Sequence, residues 1–92
     1  MLYSTLAINE KNHLTFAGYD TVALAEEFGT PLMVVDEQTI RSRCRAYKAA
    51  MKDYLPAGSR PFYASKALSI KRIYQIMAEE EMGVDVVSRG EL

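Results

Sequence analysis

Strand-forming residues come first in the pattern. Thr5-Leu6-Ala7-Ile8 and His13-Leu14-Thr15-Phe16 flank the polar tetrapeptide Asn9-Glu10-Lys11-Asn12, which predicts a β-hairpin with a four-residue loop. Asp20 follows as an N-cap, and Val22, Leu24, Ala25 and Phe28 make a partial helical stripe up to Gly29, a C′ residue. Pro31 ends that helix. Leu32-Met33-Val34-Val35 is a continuous apolar run of the kind found in strands buried on both faces. Asp36 then caps a second helix, in which Ile40, Cys44, Tyr47 and Met51 recur on one face as core. Pro56-Ala57-Gly58 breaks the chain.

The next strand, Phe62-Tyr63-Ala64-Ser65-Lys66, is apolar and ends on a lysine. Ser69 is placed to cap a third helix carrying Ile70, Ile73, Tyr74 and Met77 at i, i+3, i+4 and i+7. Glu79-Glu80-Glu81 closes that helix against the preference of the helix dipole, and only solubility accounts for it. Gly83 is expected to supply the left-handed exit into Val84-Asp85-Val86-Val87-Ser88, a second apolar strand with one carboxylate. After the hairpin the order is helix, strand, helix, strand, helix, strand. Such alternation indicates an α/β parallel sheet, and leaves an open sheet and a barrel equally available.

Composition narrows the picture. A net charge of −1 gives no reason to expect nucleic acid or an anionic membrane as partner. No run approaches the ~20 apolar residues of a membrane span, and the polar residues 9–12 speak against a signal peptide. The single cysteine, Cys44, excludes an internal disulfide and suits a reducing, cytoplasmic setting; its place on the helical stripe makes it a buried small hydrophobe rather than a nucleophile. His13, the one histidine, reads as an exposed strand residue, and Arg41, Arg43, Arg45 and Lys48 read as a solvated helix face. No metal site is expected.

The candidate chemistry lies at the two strand ends. Two parallel strands joined by a helix can bring Lys66 and Asp85 to the same end of a sheet. Both residues are costly beside buried sheet unless they pair or react. A lysine so placed, its pKa lowered by burial, can attack a carbonyl cofactor and form a Schiff base, with the carboxylate holding the resulting cation. On spacing alone, Lys66 reads first as a snorkelling strand-end residue, and a carboxylate paired with a helix-end group is the alternative for Asp85.

The wording resolves this by resemblance. Tyr63-Ala64-Ser65-Lys66-Ala67, then Gly83-Val84-Asp85-Val86-Val87-Ser88 and Gly90-Glu91-Leu92, resembles the lysine block and following strand of diaminopimelate decarboxylases, barrel-type pyridoxal-phosphate enzymes related to alanine racemase. Gly29-Thr30-Pro31-Leu32, Val35-Asp36-Glu37 and Leu14-Thr15-Phe16-Ala17-Gly18-Tyr19-Asp20 extend the resemblance over nearly the whole chain. It implies the N-terminal part of a (β/α)8 barrel, a fold of about 250 residues, preceded by a β-hairpin that belongs to a β-rich second domain. Residues 1–18 would be that hairpin and residues 19–92 the first portion of the barrel, cut off at residue 92 and inactive alone. The implied activity is pyridoxal-phosphate-dependent decarboxylation of meso-diaminopimelate to L-lysine and CO2 in lysine biosynthesis, by a cytoplasmic homodimer. Lys66 would be the catalytic, cofactor-linked lysine, with Asp85 and Ser88 also binding cofactor and Glu91 near the pocket; Ser88 equally suits a helix cap.

The phosphate loop, the pyridine-nitrogen partner and the readers of the substrate carboxylate would lie beyond Leu92. Leu68 stands where many relatives have asparagine, and Arg89 where they have a second glycine, which loosens the choice of substrate. The alternatives are a sibling decarboxylase for arginine, ornithine or carboxynorspermidine, an amino-acid racemase, and a non-catalytic cofactor carrier. The hairpin argues against the last two.

Overall fold

Asn9 folds the first turn. Its Oδ1 accepts from the backbone N–H groups of Lys11 and His13, both at 3.0 Å, and its own N–H donates to the His13 carbonyl at 3.0 Å. The computed structural model describes residues 5–86. In it, β1 (Leu6–Ile8) and β2 (Leu14–Phe16) pair antiparallel, with Leu6 opposite Phe16 and Ile8 opposite Leu14. A third strand, β3 (Tyr19–Asp20), pairs antiparallel with β2 through a tight turn in which Ala17 and Gly18 have φ of 51° and 86°. Sequence periodicity missed β3 because two residues are too few to show alternation.

The chain divides into two compact units, residues 1–36 and 37–92. In the first, Asp20 joins sheet to helix. Its Oδ1 accepts from the N–H groups of Val22 at 2.9 Å and Ala23 at 3.3 Å, capping α1 (Thr21–Phe28). Its Oδ2 accepts from Asn9 Nδ2 at 3.1 Å and lies 2.9 Å from His13 Nδ1. The His13 contact, followed by those from Asn9 and the helix N–H groups, lowers the Asp20 carboxyl to about 2. His13 is therefore a half-buried partner of the cap rather than a free strand residue. The apolar run Leu32-Met33-Val34-Val35 does not form the expected strand, and all four residues are exposed. Hydrophobicity alone cannot hold a strand without a ladder of backbone partners, and among the described residues this run has none.

The second unit runs α2 (Glu37–Tyr54), β4 (Phe62–Ala64), a 3₁₀ turn (Ser65–Ala67), α3 (Lys71–Glu79) and β5 (Gly83–Asp85). Cys44, Ile73, Ile76 and Met77 form its core, with Ile40, Tyr63, Leu68, Met82 and Val84 packed around them. Cys44 is buried, with Sγ 3.8 Å from Met77 Sδ, and burial pushes its thiol pKa up, as befits a packing residue. The inward face of α3 is rotated from the expected stripe: Ile76 is fully buried, whereas Ile70 is exposed. On α2, Tyr47 is exposed too. A two-helix layer over a two-stranded sheet covers only a narrow arc of each helix, so the flanks of each stripe stay outside.

Three further expectations change. Ser69 does not cap α3; its hydroxyl donates to the Ser65 carbonyl at 2.6 Å, and the N-cap position falls on Ile70, without a side-chain bond. The left-handed residue before β5 is Glu81, with φ of 57°, rather than Gly83. The basic residues of α2 are not simply solvated. Arg41 pairs with Glu79 and Glu80, Arg45 Nε donates to Glu80 Oε1 at 2.6 Å, and Lys48 Nζ donates to the Glu80 carbonyl at 3.0 Å and Glu81 Oε2 at 3.3 Å. The acidic run at the end of α3 is thus tolerated because a row of cations on α2, at i, i+4 and i+7, faces it.

Candidate functional site

β4 and β5 pair parallel, with Phe62 opposite Gly83, Tyr63 opposite Val84 and Ala64 opposite Asp85. Parallel pairing puts both C-terminal ends on one side, as βαβ connection through α3 requires. Asp85 closes β5, and Lys66 sits two residues past the last rung of β4, in the middle of the 3₁₀ turn. The fold therefore brings Lys66 and Asp85 to the same end of the sheet. Ser88 lies outside the described residues.

Four hydrogen bonds shape the turn that presents Lys66. The Leu68 N–H donates to the Ser65 carbonyl at 3.2 Å, and the Ser69 hydroxyl donates to the same carbonyl. The Tyr63 hydroxyl, half-buried, donates to the Leu68 carbonyl at 2.9 Å; burial raises its pKa and keeps it a donor. The Ser65 hydroxyl, fully buried, donates to the Asp85 carbonyl at 3.0 Å. Polar side chains at 63, 65 and 69 thus hold a loop whose apolar residue, Leu68, packs on the core.

Lys66 itself is exposed, so the buried setting expected for its amine is not formed by the described residues. The reason is local: among the described residues, the rim carries one tight turn beside two strands. Lys66 forms no ion pair with the described residues, and neither does the exposed Asp85 carboxylate. A primary amine at a strand end can attack an aldehyde once it has lost its proton, which is the chemistry a pyridoxal cofactor requires. Among the described residues no cluster of three or more His, Cys, Asp or Glu side chains is placed to hold a metal ion, and no helix is long and apolar enough to cross a membrane.

Comparison with known proteins shows which family the chain belongs to. Residues 37–92 match the family model described as "Pyridoxal-dependent decarboxylase, pyridoxal binding domain". The chain belongs to the pyridoxal-dependent decarboxylases.

Within these decarboxylases it is 44% identical over 90 residues to the diaminopimelate decarboxylase of Bacillus methanolicus, covering 98% of this chain and 21% of that protein. It is 40% identical over 92 residues to that of Synechocystis, covering 100% of this chain and 20% of the relative. A crystal structure of diaminopimelate decarboxylase from M. jannaschii in complex with L-lysine superposes with a TM-score of 0.71 at 34% identity, over 96% of this chain and 21% of that one. The chain thus spans about a fifth of the length of the relatives it matches. The residues that sequence reasoning left without a role are Ser65 and Tyr63. Their signal was present in the wording: hydroxyl-bearing residues either side of Ala64, in an otherwise apolar strand, need buried acceptors.

Proposed function

We propose that this chain is the N-terminal portion of a diaminopimelate decarboxylase, acting in a full-length protein to release CO2 from meso-diaminopimelate and leave L-lysine. The observation that carries the reading is the clasped turn holding an exposed Lys66, which forms no ion pair with the described residues, at the same sheet end as Asp85. Identity of 40–44% to diaminopimelate decarboxylases over essentially the whole chain supports the substrate.

When bound, pyridoxal phosphate supplies an aldehyde for an amine and a ring that accepts the electron pair left as CO2 departs. Lys66 is the residue that links to that aldehyde. Its primary amine would hold the cofactor in the resting enzyme, and its Nζ would carry a proton during turnover. Asp85, at the same sheet end, would supply negative charge to the cofactor side of the site. Ser88 completes the cofactor side of the site in this reading. In the full-length protein β4 and β5 are neighbouring strands of a (β/α)8 barrel, where working residues gather at the C-terminal ends of strands. Residues 1–18 belong to a β-rich second domain and residues 19–92 to the barrel. The protein is a cytoplasmic homodimer, and residues 1–92 alone are inactive.

The reading is tested by assaying CO2 release in a full-length enzyme that carries this chain. Turnover of meso-diaminopimelate, lost in Lys66→Ala, is expected. Turnover of arginine, ornithine or carboxynorspermidine in its place moves the protein to a sibling decarboxylase.

A further inference from the structure

We propose that Ser65 is a positioning residue for Lys66, fixing the lysine-bearing turn to the strand end that carries Asp85. The proposal rests on the reading of Lys66 given above. Ser65 is fully buried and precedes the lysine directly, so its own hydroxyl cannot reach a substrate from the rim. The last backbone rung between the two strands is Ala64 opposite Asp85. Past that rung the chain leaves the sheet for the 3₁₀ turn, and the ladder can contribute nothing more. The Ser65 hydroxyl donates to the Asp85 carbonyl at 3.0 Å at this point, adding one side-chain bond where the backbone bonds stop.

Ser65 serves the turn from its other end as well. Its carbonyl accepts from the Leu68 N–H and the Ser69 hydroxyl, at 3.2 and 2.6 Å. A single buried residue is therefore the joint between the turn that carries Lys66 and Asp85 at the end of β5. Alanine would fill nearly the same space but would free the turn to shift against β5. A displacement of about 1 Å at a reacting group costs up to about a hundredfold in rate, so the hydroxyl acts on chemistry more than on folding.

The test compares wild type and Ser65→Ala in a full-length enzyme carrying this chain, after removal of pyridoxal phosphate. Four quantities are followed: the rate of absorbance change on adding the cofactor back, the pH midpoint of the bound-cofactor absorbance, kcat against KM, and Tm. The expected result is at least about a tenfold slower capture and lower kcat, a shifted pH midpoint, KM within about twofold and a Tm close to wild type. If Ser65→Ala does not fold, Ser65→Cys, of similar size and a weaker donor, is expected to show the same slowing. Wild-type capture and pH midpoint in the variant that folds, with or without a lowered Tm, overturn the proposal and leave Ser65 a packing residue. Borohydride trapping in wild type separates the two readings: cofactor on Lys66 with unaffected Ser65 variants overturns the positioning role alone, whereas cofactor on another lysine overturns both.

Discussion

Gly83 lies under the ring of Phe62, its partner across the parallel pair: a Cβ added at Gly83 would stand 2.4 Å from Phe62 Cδ1 and 2.5 Å from Cε1. Position 83 therefore needs glycine for close approach rather than for a left-handed backbone. Phe62 is largely exposed, so its ring can swing outward, at the cost of its packing on the sheet and its stacking with Arg60, whose guanidinium carbon lies 5.9 Å from the ring centroid. Gly83→Ala is expected to destabilise the second unit by about 1–2 kcal/mol. In a Phe62→Ala background the same change should cost little. Urea unfolding of the double-mutant cycle checks it.

Glu80 and Glu81 are neighbours with unequal roles. The Glu80 side chain is 9% exposed and held between Arg45 and Arg41, whereas that of Glu81 is 83% exposed. The hydrogen bond from Arg45, and then the charges of Arg45, Arg41 and Lys48, hold the Glu80 carboxyl below the usual range. A folded-state pKa below the unfolded value of about 4.3 means the stabilisation is complete above that value and lost as pH falls through the folded one. Glu80→Gln should lower the urea midpoint at pH 7 more than Glu81→Gln, and the gap should close toward pH 3.

Asp20 governs acid stability of the first unit in the same sense. Its carboxyl is lowered to about 2, first by His13, so its contribution is full above about pH 4 and disappears as pH falls toward 2. Circular dichroism between pH 5 and pH 1.5 should show Asp20→Ala already destabilised at pH 5 and less dependent on pH than wild type. Asp20→Asn, which can still cap α1, should fall between the two.

Residues 1–92 alone should associate or melt without cooperativity. Among the described residues, four hydrophobic residues are buried in the core, while Phe28, Met33, Tyr47, Tyr54 and Phe62 are each more than 60% exposed, and β4 and β5 each have an edge without a partner strand. Sedimentation and a thermal scan at low concentration check this. A sharp, concentration-independent melt of a monomer would contradict it.

Much of this was legible in the residues. Asp20 as an N-cap, Cys44 as core, and the parallel strands placing Lys66 and Asp85 at one sheet end all follow from local chemistry and βαβ geometry. What could not be read were relationships set by tertiary neighbours. The acidic run 79–81 makes sense only beside Arg41, Arg45 and Lys48 of another helix. Ser69, a good cap by type, was drawn instead to a carbonyl four residues earlier. The run Leu32–Val35 has the apolarity of a buried strand, but strand formation depends on a partner that the run itself does not encode. The hydroxyls of Tyr63 and Ser65 were visible, but their acceptors, Leu68 and Asp85, were fixed only by the fold.

The most direct measurement is borohydride reduction of a full-length enzyme carrying this chain, loaded with pyridoxal phosphate, followed by peptide mapping. The account predicts the reduced cofactor on Lys66. Finding it on Lys48, Lys52 or Lys71, or on no peptide from residues 60–92, would contradict it.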